Sequence, residues 1–296
     1  MNEYYAYGCK IVSNITLQNV NAVKGEFQNV ILVEFVKDEH FVGDILDIHK
    51  DGGYIYISLW GFGYYKIDTN NRKITGYFKD ESLFMTFLFS YAIPCVICNS
   101  AVVLHASVVK PFDDNAVAFI GDKGAGKTTL SYALSKRKGY TLLADDGIAV
   151  CKSMGKFVGY CGNNTVKVWD QTVNLLNISD HEMRKLNDFT EKNIIDVDIE
   201  YHPIVLKSIF ILTRSNNSPI SIKNINGISK TIFLRRYLVG THWIGECVKS
   251  PSSLNKFMTD FCNSIDMYLL HYPNFECNST DKVLSEVSNM IDSTLI

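Results

Sequence analysis

The sequence predicts an α/β protein in which a P-loop core follows a small β-rich amino-terminal domain. Three observations carry this. A glycine-rich loop, Gly121 to Thr128, stands between an apolar run and a helix-forming run. A second apolar run, Tyr140–Ala144, follows at once and ends on Asp145-Asp146. Before residue 80, short aromatic β-type runs alternate with turn signals.

In chain order, β-type runs are expected at Val30–Val36, Tyr54–Trp60, Gly63–Asp68 and Lys73–Phe78, arranged as a meander. Asp51-Gly52-Gly53 and Thr69-Asn70-Asn71 supply residues that tolerate the positive φ of tight hairpins. This region, residues 1–80, is expected to be one domain and a candidate peptide-docking surface; residues 81–296 form the second domain. Leu83 to Leu104 is nearly uncharged and about long enough to cross a bilayer. Pro94 and Asn99-Ser100 interrupt it, so it reads as a buried helix, Glu81–Ala92, followed by a β-rich run, Ala101–Val109.

Strands are then expected at Val102–Val109 and Ala116–Gly121, joined by the turn Pro111-Phe112-Asp113-Asp114-Asn115. A helix over Lys127–Lys138 follows, with the strand Tyr140–Ala144 beside the one that ends at Gly121. Later β-type runs lie at Gly147–Cys151, Ile204–Thr213 and Ile232–Leu234. A last helix spans Asp281–Ile291.

Bulk composition excludes several function classes. With 29 basic against 31 acidic residues and no block of like charge, neither a nucleic-acid groove nor a membrane-surface patch is expected. The amino terminus lacks the charged, apolar and small-residue succession of a leader, and the eight cysteines are scattered, so a reducing cytoplasm is expected. Cys95-x-x-Cys98 has no second pair to complete a metal site and lies in an apolar stretch, which favours a buried, inert pair.

The chemistry begins at Gly121-Asp122-Lys123-Gly124-Ala125-Gly126-Lys127-Thr128, which satisfies the G-x-x-x-x-G-K-[ST] pattern between a strand and a helix. Glycines let successive backbone N–H groups point inward at phosphates, and the helix start adds its dipole. Lys127 is expected at the β- and γ-phosphates and Thr128 on Mg²⁺, with Thr129 alongside, so ATP and Mg²⁺ are the expected ligands. At Asp145-Asp146 two carboxylates face the same nucleotide, one for the metal and one for an acceptor hydroxyl; the residues alone do not say which. His105, on a strand hairpinned to the P-loop strand, is expected near the phosphates. Of the outlying cations Lys167, Arg214, Arg235 and Arg236, two are retained as candidate phosphate or substrate contacts, Lys167 and Arg235.

Leu104-His105-Ala106-Ser107, the P-loop and Leu142-Leu143-Ala144-Asp145-Asp146, in this order and spacing, resemble the core of the HPr kinase/phosphorylase family. With the aromatic β-rich amino-terminal region and the stretches around Leu269 to Pro273 and Val283, the resemblance is closest to HPr-kinase-like proteins that phosphorylate lasso-peptide precursors. It implies a serine kinase core related in fold to phosphoenolpyruvate carboxykinase, with Asp145 as catalytic base, Asp146 on the metal and His105 beside the γ-phosphate. The implied acceptor is a peptide or protein serine, in this subgroup the precursor's terminal serine. Gly162-Asn163-Asn164-Thr165-Val166-Lys167-Val168-Trp169 replaces the arginine–glycine signature of the HPr-modifying enzymes, a departure from HPr docking and from phosphate removal. HPr kinase, small-molecule kinase and nucleotide-gated binding protein stand as alternatives, and self-association is left open.

Overall fold

Alternating burial along short strands builds the amino-terminal region. In Tyr54–Leu59, Gly63–Asp68 and Lys73–Phe78 every second side chain is buried, as expected of a sheet with one face on a core. A computed structural model describes residues 1–41, 43, 45–111, 115–185, 192–197, 202–215, 219–248, 250–275 and 280–295. Its first sheet runs over β1 (Asn2–Ala6), β2 (Cys9–Ser13), β3 (Val30–Lys37), β4 (Asp47–Asp51), β5 (Tyr54–Leu59), β6 (Gly63–Asp68) and β7 (Lys73–Phe78). The order is β1-β2-β3-β7-β6-β5-β4. Of the expected meander only β5, β6 and β7 pair in sequence order, and β4, not expected as a strand, extends them beside β5. Strand β3 instead lies parallel to both β2 and β7, a placement that sequence-adjacent hairpin signals cannot reveal.

Helix α1 (Glu81–Phe87), capped by Asp80, continues through a turn of π-helix (Leu88–Ala92) into α2 (Ile93–Ile97). Pro94 does not end the helix as expected, because it sits at the start of α2 directly after the π turn, where a missing N–H is tolerated. The break comes at residues 98–100. No helix among the described residues is long and apolar enough to cross a membrane. All seven described cysteines are free, and burial with a hydrogen bond to Cys247 keeps the Cys95 thiol protonated.

The second sheet contains β8 (Ala101–Leu104), β9 (Ser107–Lys110), β10 (Asn115–Ile120), β11 (Thr141–Ala144), β12 (Ile148–Ser153), β13 (Lys156–Cys161), β17 (Ile204–Arg214), β18 (Ser221–Asn224) and β19 (Asp266–Tyr272). Its main path is β11-β9-β10-β17-β13-β12-β8, with β19 and β18 extending from β17. Two expectations change here. The strand expected over residues 102–109 is two strands broken at His105-Ala106. Strand β11 does not neighbour the P-loop strand β10, because β9 pairs with both and lies between them. The central residues of the turn joining β9 to β10, 112–114, lie outside the described residues.

The break has a counterpart. Strand β8 pairs with β12 (Leu104 opposite Ile148) and β9 pairs with β11 (Val108 opposite Ala144), both antiparallel. Segments 101–110 and 141–153 are thus one long ladder interrupted on both strands at the same level, by His105-Ala106 and by Asp145 to Gly147. The sheet's two ends are joined covalently through this gap.

A third sheet, β14 (Thr165–Trp169), β15 (Arg184–Lys185) and β16 (Lys192–Asp196), is ordered β14-β16-β15. Helices α3 (Lys127–Lys138), α4 (Asp170–Leu176), α5 (Ile228–Arg236), α6 (Ile244–Cys247), α7 (Pro251–Ser264) and α8 (Thr280–Ser293) complete the fold. Ile232–Leu234 is not a strand but part of α5. Leu234 is buried while Ile228 and Ile232 are exposed, so the apolar run never had a pleated face to fill.

Candidate active site at the gap in the ladder

Strand β10 ends at Ile120, the glycine loop follows, and α3 begins at Lys127 with Gly126 as its cap. At Gly126, φ is +89° and a Cβ would collide with the Arg214 guanidinium and the Tyr272 hydroxyl, so only glycine fits. Tyr272 donates its hydroxyl proton to the Ala125 carbonyl at 2.8 Å, and Arg214 reaches the Tyr272 oxygen at 3.3 Å. The ends of β17 and β19 thereby brace the loop. Arg214, left out of the expected contacts, belongs to this cradle. Asp122 accepts from Arg236 at 2.8 and 2.9 Å, and Lys123 and Gly124 line the loop's cavity. Thr129 is tied to Thr172 of α4 at 2.9 Å.

Lys127 is buried and donates to the Gly121 carbonyl at 2.9 Å, closing the loop on itself. Burial lowers its ammonium pKa, against the opposing pull of Asp145 and Asp146.

The two adjacent aspartates occupy opposite environments. Asp145 is 1% exposed. It accepts from the Ser107 hydroxyl, from Thr128 Oγ1 at 2.9 Å and from the Lys167 backbone N–H at 3.4 Å. Burial, reinforced by the charge of Asp146, pushes its carboxyl up to about 6 against those hydrogen bonds. Asp146, at φ +61°, turns the other way and meets the Lys167 ammonium at 2.9 Å. Burial works to raise the Asp146 carboxyl too, but the charges of Lys167 and Lys192, with the Lys167 hydrogen bond, outweigh it and hold it below the usual carboxylate range.

His105 fills the opposite side of the gap, its Nδ1 3.2 Å from the Asp146 carbonyl oxygen. A carbonyl only accepts, so Nδ1 carries the proton and Nε2 is left with a lone pair. His105 is accessible through the cavities it lines yet enclosed by protein elsewhere. That enclosure and the charge of Lys127 hold its imidazole below the usual range and neutral near pH 7.

Two cavities meet at this gap. One, about 470 Å³, lies over the loop between Thr128, Trp169, Gln171, Arg214 and Phe275. The other, about 630 Å³, is walled by Tyr7, Asn19, Met85, Phe89, Tyr91 and Trp243. His105, Asp146, Lys167 and Lys192 line both; Asp145 lines neither.

No protein-family model and no curated protein matches the chain. Among solved structures it is similar to the Hpr(Ser) kinase/phosphatase from Coxiella burnetii. The likeness is 13% identity and a TM-score of 0.34, over 65% of this chain and 89% of that one.

The structure brings together the loop residues 121–129, His105, Asp145, Asp146 and Lys167. It does not bring in Arg235, which donates to Asn255 at 2.9 Å and lines neither cavity. Successive residues on α5 point about 100° apart, so Arg236 faces Asp122 and the second cavity while Arg235 faces α7. Ser107, Trp169, Lys192, Tyr7 and Tyr272 were not expected at the site. Ser107, Trp169 and Tyr272 lie within stretches tied to the family resemblance, whereas Tyr7 and Lys192 carry no local motif and arrive from distant strands and turns.

Among the described residues no cluster of three or more His, Cys, Asp or Glu side chains forms a metal cage. Thr128 Oγ1 and the Asp145 carboxylate, side by side at the start of α3, are instead the sparse, hard oxygen set that suits Mg²⁺ shared with substrate phosphates.

Proposed function

We propose that this chain binds ATP with Mg²⁺ and transfers the γ-phosphoryl group to a serine hydroxyl on a peptide or protein segment. The observation that carries this reading is the meeting of a loop-lined cavity and a second cavity along His105, Asp146, Lys167 and Lys192. A two-substrate transfer needs such a seam. The loop N–H groups and the α3 dipole hold the phosphates, and Lys127 leaves the Gly121 carbonyl to reach them. Thr128, with Asp145 hydrogen-bonded behind it, would hold Mg²⁺, which would supply neutralisation of the phosphate charge.

Asp146 faces the acceptor side. Its carboxylate takes the serine proton as the new oxygen–phosphorus bond forms and the bond to the β-phosphate oxygen breaks, leaving ADP. Lys167 fixes the carboxylate's orientation, and a base so placed contributes roughly 10²- to 10⁴-fold. Neutral His105 offers Nε2 to the incoming segment. This reading gives the metal to Asp145 and the proton to Asp146, the reverse of what the family resemblance implies. What supports it is that Asp146 lines both cavities while Asp145 lies beneath Thr128.

A cavity of about 630 Å³ suits a short extended segment better than the flat face of a folded partner. The resemblance makes a lasso-type precursor ending in serine the first acceptor to try. Intact-mass spectrometry after incubation with MgATP tests the proposal, offering that peptide and an HPr protein side by side. One added phosphate on the peptide's serine, absent with Asp146→Asn, is the expected result. Phosphate on HPr would move the acceptor to that protein, and modification of neither would leave a small molecule as the occupant of the second cavity.

A further inference from the structure

Lys192 opens β16 directly opposite Trp169, the last residue of β14. Directly opposed residues of an antiparallel pair share a face, and the face is settled by their neighbours. Val166, Val168 and Ile195 are buried in the hydrophobic cluster behind the sheet, so Lys167, Trp169 and Lys192 turn to the cavities. Four side chains line both cavities, and three of them hold one another: Lys167 to the Asp146 carboxylate, His105 to the Asp146 carbonyl. Lys192 is the fourth. Among the described residues it makes no ion pair, and its ammonium rests 5.0 Å above the half-exposed Trp169 ring. An aromatic face is a weak hold for a cation beside solvent. A charge at the seam that no carboxylate among the described residues clamps, and that lends only its field to Asp146, is a charge available to a ligand.

We propose that Lys192 is a catalytic cation that contacts the phosphoryl group in transit between the two cavities, with Trp169 as its resting place. This rests on the phosphotransfer reading above. Transfer spreads negative charge over three equatorial oxygens of the moving phosphorus, at the point where nucleotide and acceptor meet. Lys127 would approach that group from the nucleotide side, and Thr128, at the start of α3, would hold the metal ion there. Lys192 closes the remaining side from the third sheet and gains contacts that neither ATP nor the serine offers in the ground state.

The test uses the intact chain and needs no acceptor. Binding of MgADP is measured by calorimetry with and without aluminium fluoride, which mimics the moving phosphoryl group, for wild type, Lys192→Met, Lys192→Arg and Trp169→Leu. Wild type is expected to bind MgADP about 100-fold more tightly with fluoride. Lys192→Met is expected to lose most of that gain while binding MgADP alone within about 3-fold of wild type, and Lys192→Arg to recover it. Trp169→Leu retains the gain, because the ring only parks the lysine. Equal fluoride enhancement in Lys192→Met and wild type overturns the assignment, as does a wild type that ignores fluoride. Failure of wild type to bind MgADP at all is a different result and overturns the nucleotide reading instead. Matching circular dichroism and melting temperatures separate these outcomes from misfolding.

Discussion

The two cavities differ in how their key surface is made. The proposed nucleotide cavity is floored by one glycine-rich stretch within residues 121–129, which Arg214 and Tyr272 brace from behind, while its other walls come from distant segments. The proposed acceptor cavity has no such loop: residues 236–243, at and after the end of α5, form one wall, Tyr7 and Asn19 come from the amino-terminal turns, and Met85, Phe89 and Tyr91 from the helix after the first sheet. What joins these segments is packing and backbone hydrogen bonding. Tyr7 N–H donates to the Cys161 carbonyl at 2.7 Å, and its ring lies so close to Gly147 and Gly162 that no side chain fits at either. His105 N–H donates to the Tyr237 carbonyl at 2.9 Å, and Val239 N–H to that of Val103 at 2.8 Å. Phosphate binding tolerates little variation in backbone path and so is written locally. An acceptor site needs only a shaped wall, which distant segments can share.

If the seam divides the labour as proposed, substitutions on its two sides separate cleanly. The largest effect is expected from Asp146→Asn, which should lower transfer by roughly 10²- to 10⁴-fold while leaving the MgATP dissociation constant within about 3-fold. A parallel loss of nucleotide affinity would place Asp146 on the metal side and restore the roles that the resemblance implies. Lys127→Ala should weaken MgATP binding by about 100-fold, read by calorimetry, because it removes a charge-assisted contact to the β- and γ-phosphates. Unchanged affinity would mean that nucleotide is not held at this loop.

Phe89→Ala, which trims the acceptor wall at a half-buried position, should raise the acceptor KM by about 10-fold with the MgATP constant unmoved. An unmoved KM would take the second cavity out of acceptor binding. The smallest effect is on stability. Asp145 has a folded-state pKa of about 6, above its ordinary value, so the charged form is disfavoured by folding. Protonated, it costs nothing; as pH rises from about 4 through about 6 the penalty develops, and above that it is fully present. Asp145→Asn, without metal, should therefore melt a few degrees higher than wild type at pH 8 and at the same temperature near pH 4. A gain that does not depend on pH would show that packing, not charge, sets the difference.

Legibility followed the same division. The strand–loop–helix run, the β-type runs at Tyr54, Gly63 and Lys73 and the final helix could be read because each is a local periodic pattern with its own boundary signals. Helix α7, with Ser250 as cap and Pro251 in its first turn, carries the same kind of signal although it stands outside the expected elements. Arg235 and Arg236 show the limit of residue-type reasoning: both are arginines at one helix end, and only the 100° step between them decides which faces the site.

The sequence by itself determined the glycine-rich loop, the carboxylate pair and their order along the chain, because these depend on residue type and on spacings of a few residues. Only the tertiary structure decided that β9 lies between β10 and β11, and that the ladder of residues 101–110 with 141–153 is interrupted where His105 faces Asp145-Asp146. It alone decided that Asp145 is sealed under Thr128 while Asp146 opens to both cavities, and that Lys192 arrives opposite Trp169. Strand pairing between distant segments is chosen by the summed packing of whole faces. No single residue or short spacing encodes it.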